Sequence, residues 1–153
     1  MAKFIYKMQN VLNVKEKMEE QAKMEFARAM NRLNEELEKL EALKEKKVFY
    51  EEQGVRLRAA ILDLLELKEN EAAVEYVKQE IELQKKRIKK AEEELETARQ
   101  KLQECMTERK IQEKLKENAF EVFVQEMNKE ESKEVDELVS YVYGKRIVDG
   151  KGT

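Results

Sequence analysis

Enzymatic chemistry needs a nucleophile beside a base, facing carboxylates or a set of metal ligands, and this chain offers little of each. It contains no His, which excludes Ser–His and Cys–His dyads and imidazole metal sites. Its single cysteine, Cys105, can close neither an intramolecular disulfide nor a multi-thiolate zinc site. Glu35 and Glu36 are adjacent carboxylates, but exposed acids lack the concave pocket that general acid–base work requires. Neither a GxxxxGK(S/T) nor a GxGxxG loop is present to cradle a phosphate. No catalytic residue, cofactor, metal or small-molecule substrate is expected, and the chain reads as a non-enzyme.

Binding chemistry is better represented. Lys85, Lys86, Arg87, Lys89 and Lys90 bunch within six positions, a pattern that can bind nucleic acid or an acidic partner. No stacking aromatic lies beside them and the net charge is −3, so the reading is a solvated face paired with Glu82 and Glu94, without nucleic acid. Residues 117–137 hold eight acids against two lysines, either another solvated face or a docking surface. Leu43, Phe49 and Tyr50 stand partly off any narrow apolar line, and either contact a protein or lie buried under a neighbouring helix.

These residues must be carried on helices. Of 153 residues, 42% are charged, none is Pro and four are Gly, which starves a turn-rich β or α/β fold. So much charge is hard to keep on the surface of a small sphere and easy on a rod, so the composition predicts an elongated all-α protein of one domain. Val74, Val77, Ile81, Gln84, Ile88, Ala91, Leu95, Ala98, Leu102 and Cys105 follow unbroken 3,4 spacing, the narrow seam of a left-handed coiled coil. Cys105 falls on that seam as a small hydrophobe. In the first half Met8, Val11, Met18, Ala22, Phe26, Ala29, Leu33, Leu37 and Leu40 make a rougher seam, with a gap at Lys15 and 4,4 steps that read as stutters. Beyond Arg109 the apolar line shifts phase and continues as Ile111, Leu115, Phe120, Val124, Met127, Leu138 and Val142.

Gly54 and a suggested N-cap at Asn70 bracket the apolar cluster Leu57, Ile61, Leu62, Leu64, Leu65 and Leu67. This predicts an antiparallel two-helix hairpin with its tip at about 53–71 and a short helix folded over it. The alternative is one long helix in a parallel dimer. Gly144 is expected to end the second helix, giving a single hairpin domain over 1–144 and a disordered tail over 145–153. The longest uncharged runs, Met8–Val14 and Leu138–Gly144, are too short to cross a bilayer, and the N-terminus has no signal-peptide core. A cytoplasmic protein is expected.

The ends of the chain add a motif. Phe4-x-Tyr6-x-Met8-Gln9-x-x-Leu12-x-x-Lys15, followed by Glu19 and Ala22-Lys23, resembles the N-terminal signature of the FliJ family of flagellar export proteins. Ile81-x-x-Gln84-x-x-x-Ile88 is similar to that family's Ile-x-x-Gln segment, and Glu130-Glu131 with Asp136-Glu137 to its acidic C-terminal stretch. Met8 stands where the family usually has Leu.

The resemblance implies an antiparallel coiled coil, like the central stalk of rotary ATPases, acting in flagellar type III export at the inner face of the membrane. Its implied partners are the hexameric export ATPase, whose assembly and activity it promotes, the membrane-embedded export gate and export chaperones. Carried over, Phe4, Tyr6, Met8, Leu12 and Lys15, with Glu130, Glu131 and Glu134, would contact the ATPase. Leu43, Tyr50, Val77 and Gln84 would face the gate. The competing reading is a structural coiled-coil scaffold or a holdase-type chaperone with no part in export.

Overall fold

A computed structural model describes residues 2–60 and 63–151, with side chains described as far as Lys145. It contains two helices, α1 over Gln9–Ala59 and α2 over Leu64–Lys151, of 51 and 88 residues. They pack antiparallel as a hairpin, as the composition and seams predict. The chain divides into two compact units, one of Met18–Met106 and one of Met1–Lys17 with Thr107–Thr153.

In the Met18–Met106 unit, pairings run in opposite senses along the helices: Glu25 to Lys101, Arg32 to Glu94, Glu36 to Gln84, Tyr50 to Asn70. The α2 seam is as the spacing predicts. Val77, Ile81, Gln84, Ile88, Ala91 and Cys105 are buried, and Val74, Leu95, Ala98 and Leu102 are half-buried between them. Burying a Val or Ile side chain contributes about 1.5–3 kcal/mol, so this line supplies much of the unit's cohesion.

The α1 seam differs from its expected form. No stutter occurs: Glu19, Ala22, Phe26, Ala29, Leu33, Glu36, Leu40, Leu43, Lys47, Tyr50, Gly54 and Leu57 keep strict 3,4 spacing and are buried or half-buried. Met18 and Leu37, expected in the seam, are exposed. Of the polar side chains on the line, Glu19 pairs with Lys23 and Lys47 with Glu51 along α1, while Glu36 is met by α2. The Gln84 amide, inside the core, donates to the Glu36 carbonyl at 2.9 Å and to the Glu36 carboxylate, while Arg87 donates to its oxygen at 3.2 Å. Among the described residues no buried side-chain nitrogen or oxygen lacks a partner.

Gly54 is likewise not a helix breaker. It lies buried inside α1 with a negative φ, and a Cβ there would come within 2.6 Å of the Asn70 Oδ1. Its smallness lets Asn70 lie against α1 and donate to the Tyr50 carbonyl at 2.9 Å. The cap of α2 is Asp63, whose side chain accepts from the Leu65 N–H at 3.0 Å, so the helix starts six residues before Asn70. Residues 55–59 and 64–68 extend the two long helices, so no separate short helix appears among the described residues; Ile61 and Leu62 lie outside them.

In the unit formed by the two ends, residues 2–6 are non-helical and α1 starts after a turn in which the Gln9 N–H donates to the Tyr6 carbonyl at 3.1 Å. The α2 seam does not shift phase. It runs on through Arg109, Gln112, Lys116, Ala119 and Phe123, all half-buried, and leaves Ile111, Leu115, Phe120 and Val124 exposed. α2 also passes through Gly144 without ending there.

Candidate interaction surfaces

The N-terminal segment is clasped onto α2. The Phe4 ring meets Phe120 edge-on with centroids 5.3 Å apart and Phe123 at 5.4 Å, and the Tyr6 hydroxyl donates to the Gln112 carboxamide at 3.3 Å. Aromatic pairs of this geometry add about 0.5–1.5 kcal/mol beyond area burial. Leu12 is buried in the core, and Lys15 forms an ion pair with Glu108 at 2.8 Å. Met8 is exposed, and with Lys3, Ile5, Lys7, Val122 and Glu126 it lines an open groove of about 770 Å³ beside the clasp.

The clasp marks where α1's side of the pairing runs out. From Asn128 to Lys145 every residue of α2 is exposed, including Glu130, Glu131 and Glu134. Val135, Leu138, Tyr141 and Tyr143 stand in water at 57, 64, 67 and 65% of their full exposure. Among the described residues no helix is long and apolar enough to cross a membrane. Large apolar side chains left open on a charged helix make this stretch a candidate contact surface.

Of the four residues suggested for a gate contact, Val77 and Gln84 are fully buried and present no side chain to a partner. Leu43 and Tyr50 are half-buried, and the Phe49 ring, 58% exposed, leans on Tyr50 with centroids 5.7 Å apart. The surface residues that spacing did not single out are Tyr76 and Leu83, one position before Val77 and Gln84. Both are exposed, and seven residues apart they share one face of α2. Their signal in the sequence is an apolar pair parallel to, but out of step with, the seam.

In the basic cluster Lys85 pairs with Glu82 at 3.3 Å, as expected for a solvated face. Glu94 instead crosses to Arg32 at 2.7 Å. Cys105 is buried and free. The Glu36 carboxyl is held below the usual carboxylate value chiefly by the Gln84 hydrogen bond, which outweighs the opposing effect of burial, with further lowering by Lys39 and Arg87.

The sequence that folds into this hairpin matches the family model described as Flagellar FliJ protein over residues 4–147. The chain belongs to the FliJ family. It is therefore a flagellar component associated with protein export. Neither the curated proteins nor the solved structures gave a match. The matched range opens at Phe4, the residue whose ring makes the clasp, and spans both the clasp and the uncovered acidic helix.

Proposed function

We propose that this FliJ-family chain is a non-enzymatic stalk of the flagellar export apparatus. It binds and stimulates the hexameric export ATPase, connects it to the export gate and escorts export chaperones. It works from the cytoplasmic side, peripheral to the membrane at the flagellar base. The observation that carries this reading is the stretch 128–145, a helix with no covering from α1, lined with acids and large apolar groups.

A stalk within a ring meets several subunits in different states, and open charged and methionine-bearing surfaces suit that better than one deep interlock. Phe4, Tyr6 and Met8 at the clasp, with Glu130, Glu131 and Glu134 beyond it, form the ATPase-facing region. Leu12 and Lys15 support it from below through packing and the Glu108 ion pair. The gate-facing region is centred on Leu43 and Tyr50 with their exposed neighbour Phe49 and, on α2, Tyr76 and Leu83. Val77 and Gln84 serve it by fixing the helix pairing underneath.

The test is ATP hydrolysis by the cognate export ATPase against added chain at low salt. Stimulation should saturate near one chain per ring. Combined Glu130→Lys, Glu131→Lys and Glu134→Lys should reduce it with helicity unchanged, because acids facing basic ring loops bind less as charge is reversed or salt is raised. A flat response to wild type would contradict the stalk reading.

A further inference from the structure

The ion pairs Glu25–Lys101 at 3.2 Å and Arg32–Glu94 at 2.7 Å bridge the two helices on one side of the seam. In a heptad pairing, steps of seven residues from such a bridge stay on its side. From Arg32 along α1 they reach Lys39 and Lys46, and from Glu94 along α2 they reach Arg87, Glu80 and Ala73. Three residues further on lies an outer row on the same side. It carries Glu35, Ala42 and Phe49 on α1 and Tyr76, Leu83 and Lys90 on α2. Phe49, Tyr76 and Leu83 are 58, 60 and 46% exposed, so three large apolar groups from two helices stand open on one side of the hairpin.

Basic charge gathers on that side as well. Arg32 and Glu94 satisfy each other, which leaves Lys39, Lys46, Arg87 and Lys90 against Glu35 and the half-buried Glu80. Two of these cations lean on the polar pair in the seam, Lys39 at 3.4 Å from Glu36 and Arg87 at 3.2 Å from Gln84. Lys46 and Lys90 form no ion pair among the described residues, because Glu94, four residues past Lys90, is taken by Arg32. The opposite side of the seam reverses the balance. Over the same length it holds Lys44, Lys78, Lys85 and Lys89 against Glu41, Glu71, Glu75, Glu82 and Glu92. The pairing of the helices thus divides the basic run 85–90, and only Arg87 and Lys90 join the apolar groups.

Resting on the reading of Phe49, Tyr76 and Leu83 as gate-facing, we propose that this side of the Met18–Met106 unit docks an acidic, amphipathic segment of its partner. The segment's apolar groups lie on Phe49, Tyr76 and Leu83, and its carboxylates meet Lys46 and Lys90 with Lys39 and Arg87 between them. From Arg32 to Phe49 the face runs about 25 Å along α1, the length of a partner helix of four to five turns. A contact of that size suits reversible binding. An aliphatic group such as Leu83 offers a base nothing to stack on, and the chain's net charge is −3, so polypeptide carboxylates fit this face better than a nucleic-acid backbone.

Fluorescence anisotropy of the full chain with a labelled helical peptide tests this without the gate. The probe carries leucines at 3,4 spacing with glutamates between them, and its companion carries glutamines in place of the glutamates. The glutamate peptide should bind at least about tenfold more tightly than the glutamine peptide, and more weakly as salt rises. Lys46→Glu with Lys90→Glu should raise its dissociation constant at least about tenfold, and so should Phe49→Ala with Leu83→Ala. Lys85→Glu with Lys89→Glu, the same change of charge on the opposite side, should leave it nearly unchanged. Circular dichroism checks that these variants, all at exposed positions, stay helical. No binding, equal binding of the two peptides, equal losses from the two lysine pairs, or a single-stranded oligonucleotide held as tightly by the same residues would each overturn the proposal. Binding of the cognate gate is measured separately. A gate that binds wild type and the Lys46→Glu, Lys90→Glu variant alike would overturn the acidic partner and keep the gate-facing reading. An acidic peptide that binds here when the gate does not would uphold the acidic docking face and contradict the gate.

Discussion

Residues 70–105 and residues 120–142 lie on one helix and both carry an apolar stripe, yet one stretch is buried by its own chain and the other is left open. In the first, apolar side chains at 3,4 spacing meet α1, and two polar ones, Asn70 and Gln84, donate from their amide nitrogens to α1. In the second, apolar side chains at eleven-residue spacing turn away from the line of α1 and most of them stand in water. An apolar stripe thus states what a helix can bury, while the partner helix decides which stripe is buried. Here the period differs with the outcome: seven residues where α1 covers the stripe, eleven where it is left open.

The largest effect that should distinguish the two stretches is a core truncation. Ile88→Ala should cost about 2–3 kcal/mol in urea unfolding followed by circular dichroism, whereas Leu138→Ala should change stability by less than about 0.5 kcal/mol. Equal losses at the two positions would mean that 128–145 is packed after all.

Next in size is the polar latch near the tip. Gly54→Ala gains helix propensity but pushes on the Asn70 side chain and its bond to the Tyr50 carbonyl. Losing a buried hydrogen bond costs about 1–3 kcal/mol against a gain of about 1 kcal/mol, so a net loss of about 1 kcal/mol is expected. Combined with Asn70→Ala the Gly54→Ala penalty should vanish. Persistence of the penalty in the double variant would show that Asn70 is not what requires glycine.

The smallest effect is on acid stability. The Glu36 carboxyl titrates below its ordinary value of 4.5 in the folded chain because Gln84 holds its charged form. As pH falls below that ordinary value the unfolded chain takes up this proton first. The stabilisation is therefore complete above it and is lost on the way down to the lowered value. Glu36→Gln should flatten the fall in stability over that acid window and leave neutral pH nearly unchanged. A wild-type slope in the variant would mean that Glu36 plays no part in the acid response.

The same two stretches mark how much of the molecule is legible in its amino-acid order. The hairpin, the second-helix seam and the buried Cys105 can be read because apolar residues recur there without a break. The first-helix seam cannot. Glu19, Glu36 and Lys47 sit on it as polar residues, and the partner that makes Glu36 tolerable lies 48 residues away in sequence. Gly54 misleads for a related reason, since glycine has the same letter whether it breaks a helix or makes room for Asn70. Past Arg109 the apolar stripe invites a seam that the chain does not use, because spacing alone cannot tell where α1 runs out. Of the candidate contact residues, Glu130, Glu131 and Glu134 are exposed as a surface role requires, while Val77 and Gln84 are buried by the seam that made them conspicuous.

If the uncovered end of α2 is where the chain meets the export ATPase, its backbone amides should register the meeting. Hydrogen exchange with and without the cognate ATPase hexamer reads this residue by residue. Slow exchange is expected over 70–105 in both states, and fast exchange over 128–145 that slows when the ATPase is added. Protection that appears around 43–83 while 128–145 stays fast, or no change anywhere, would contradict it.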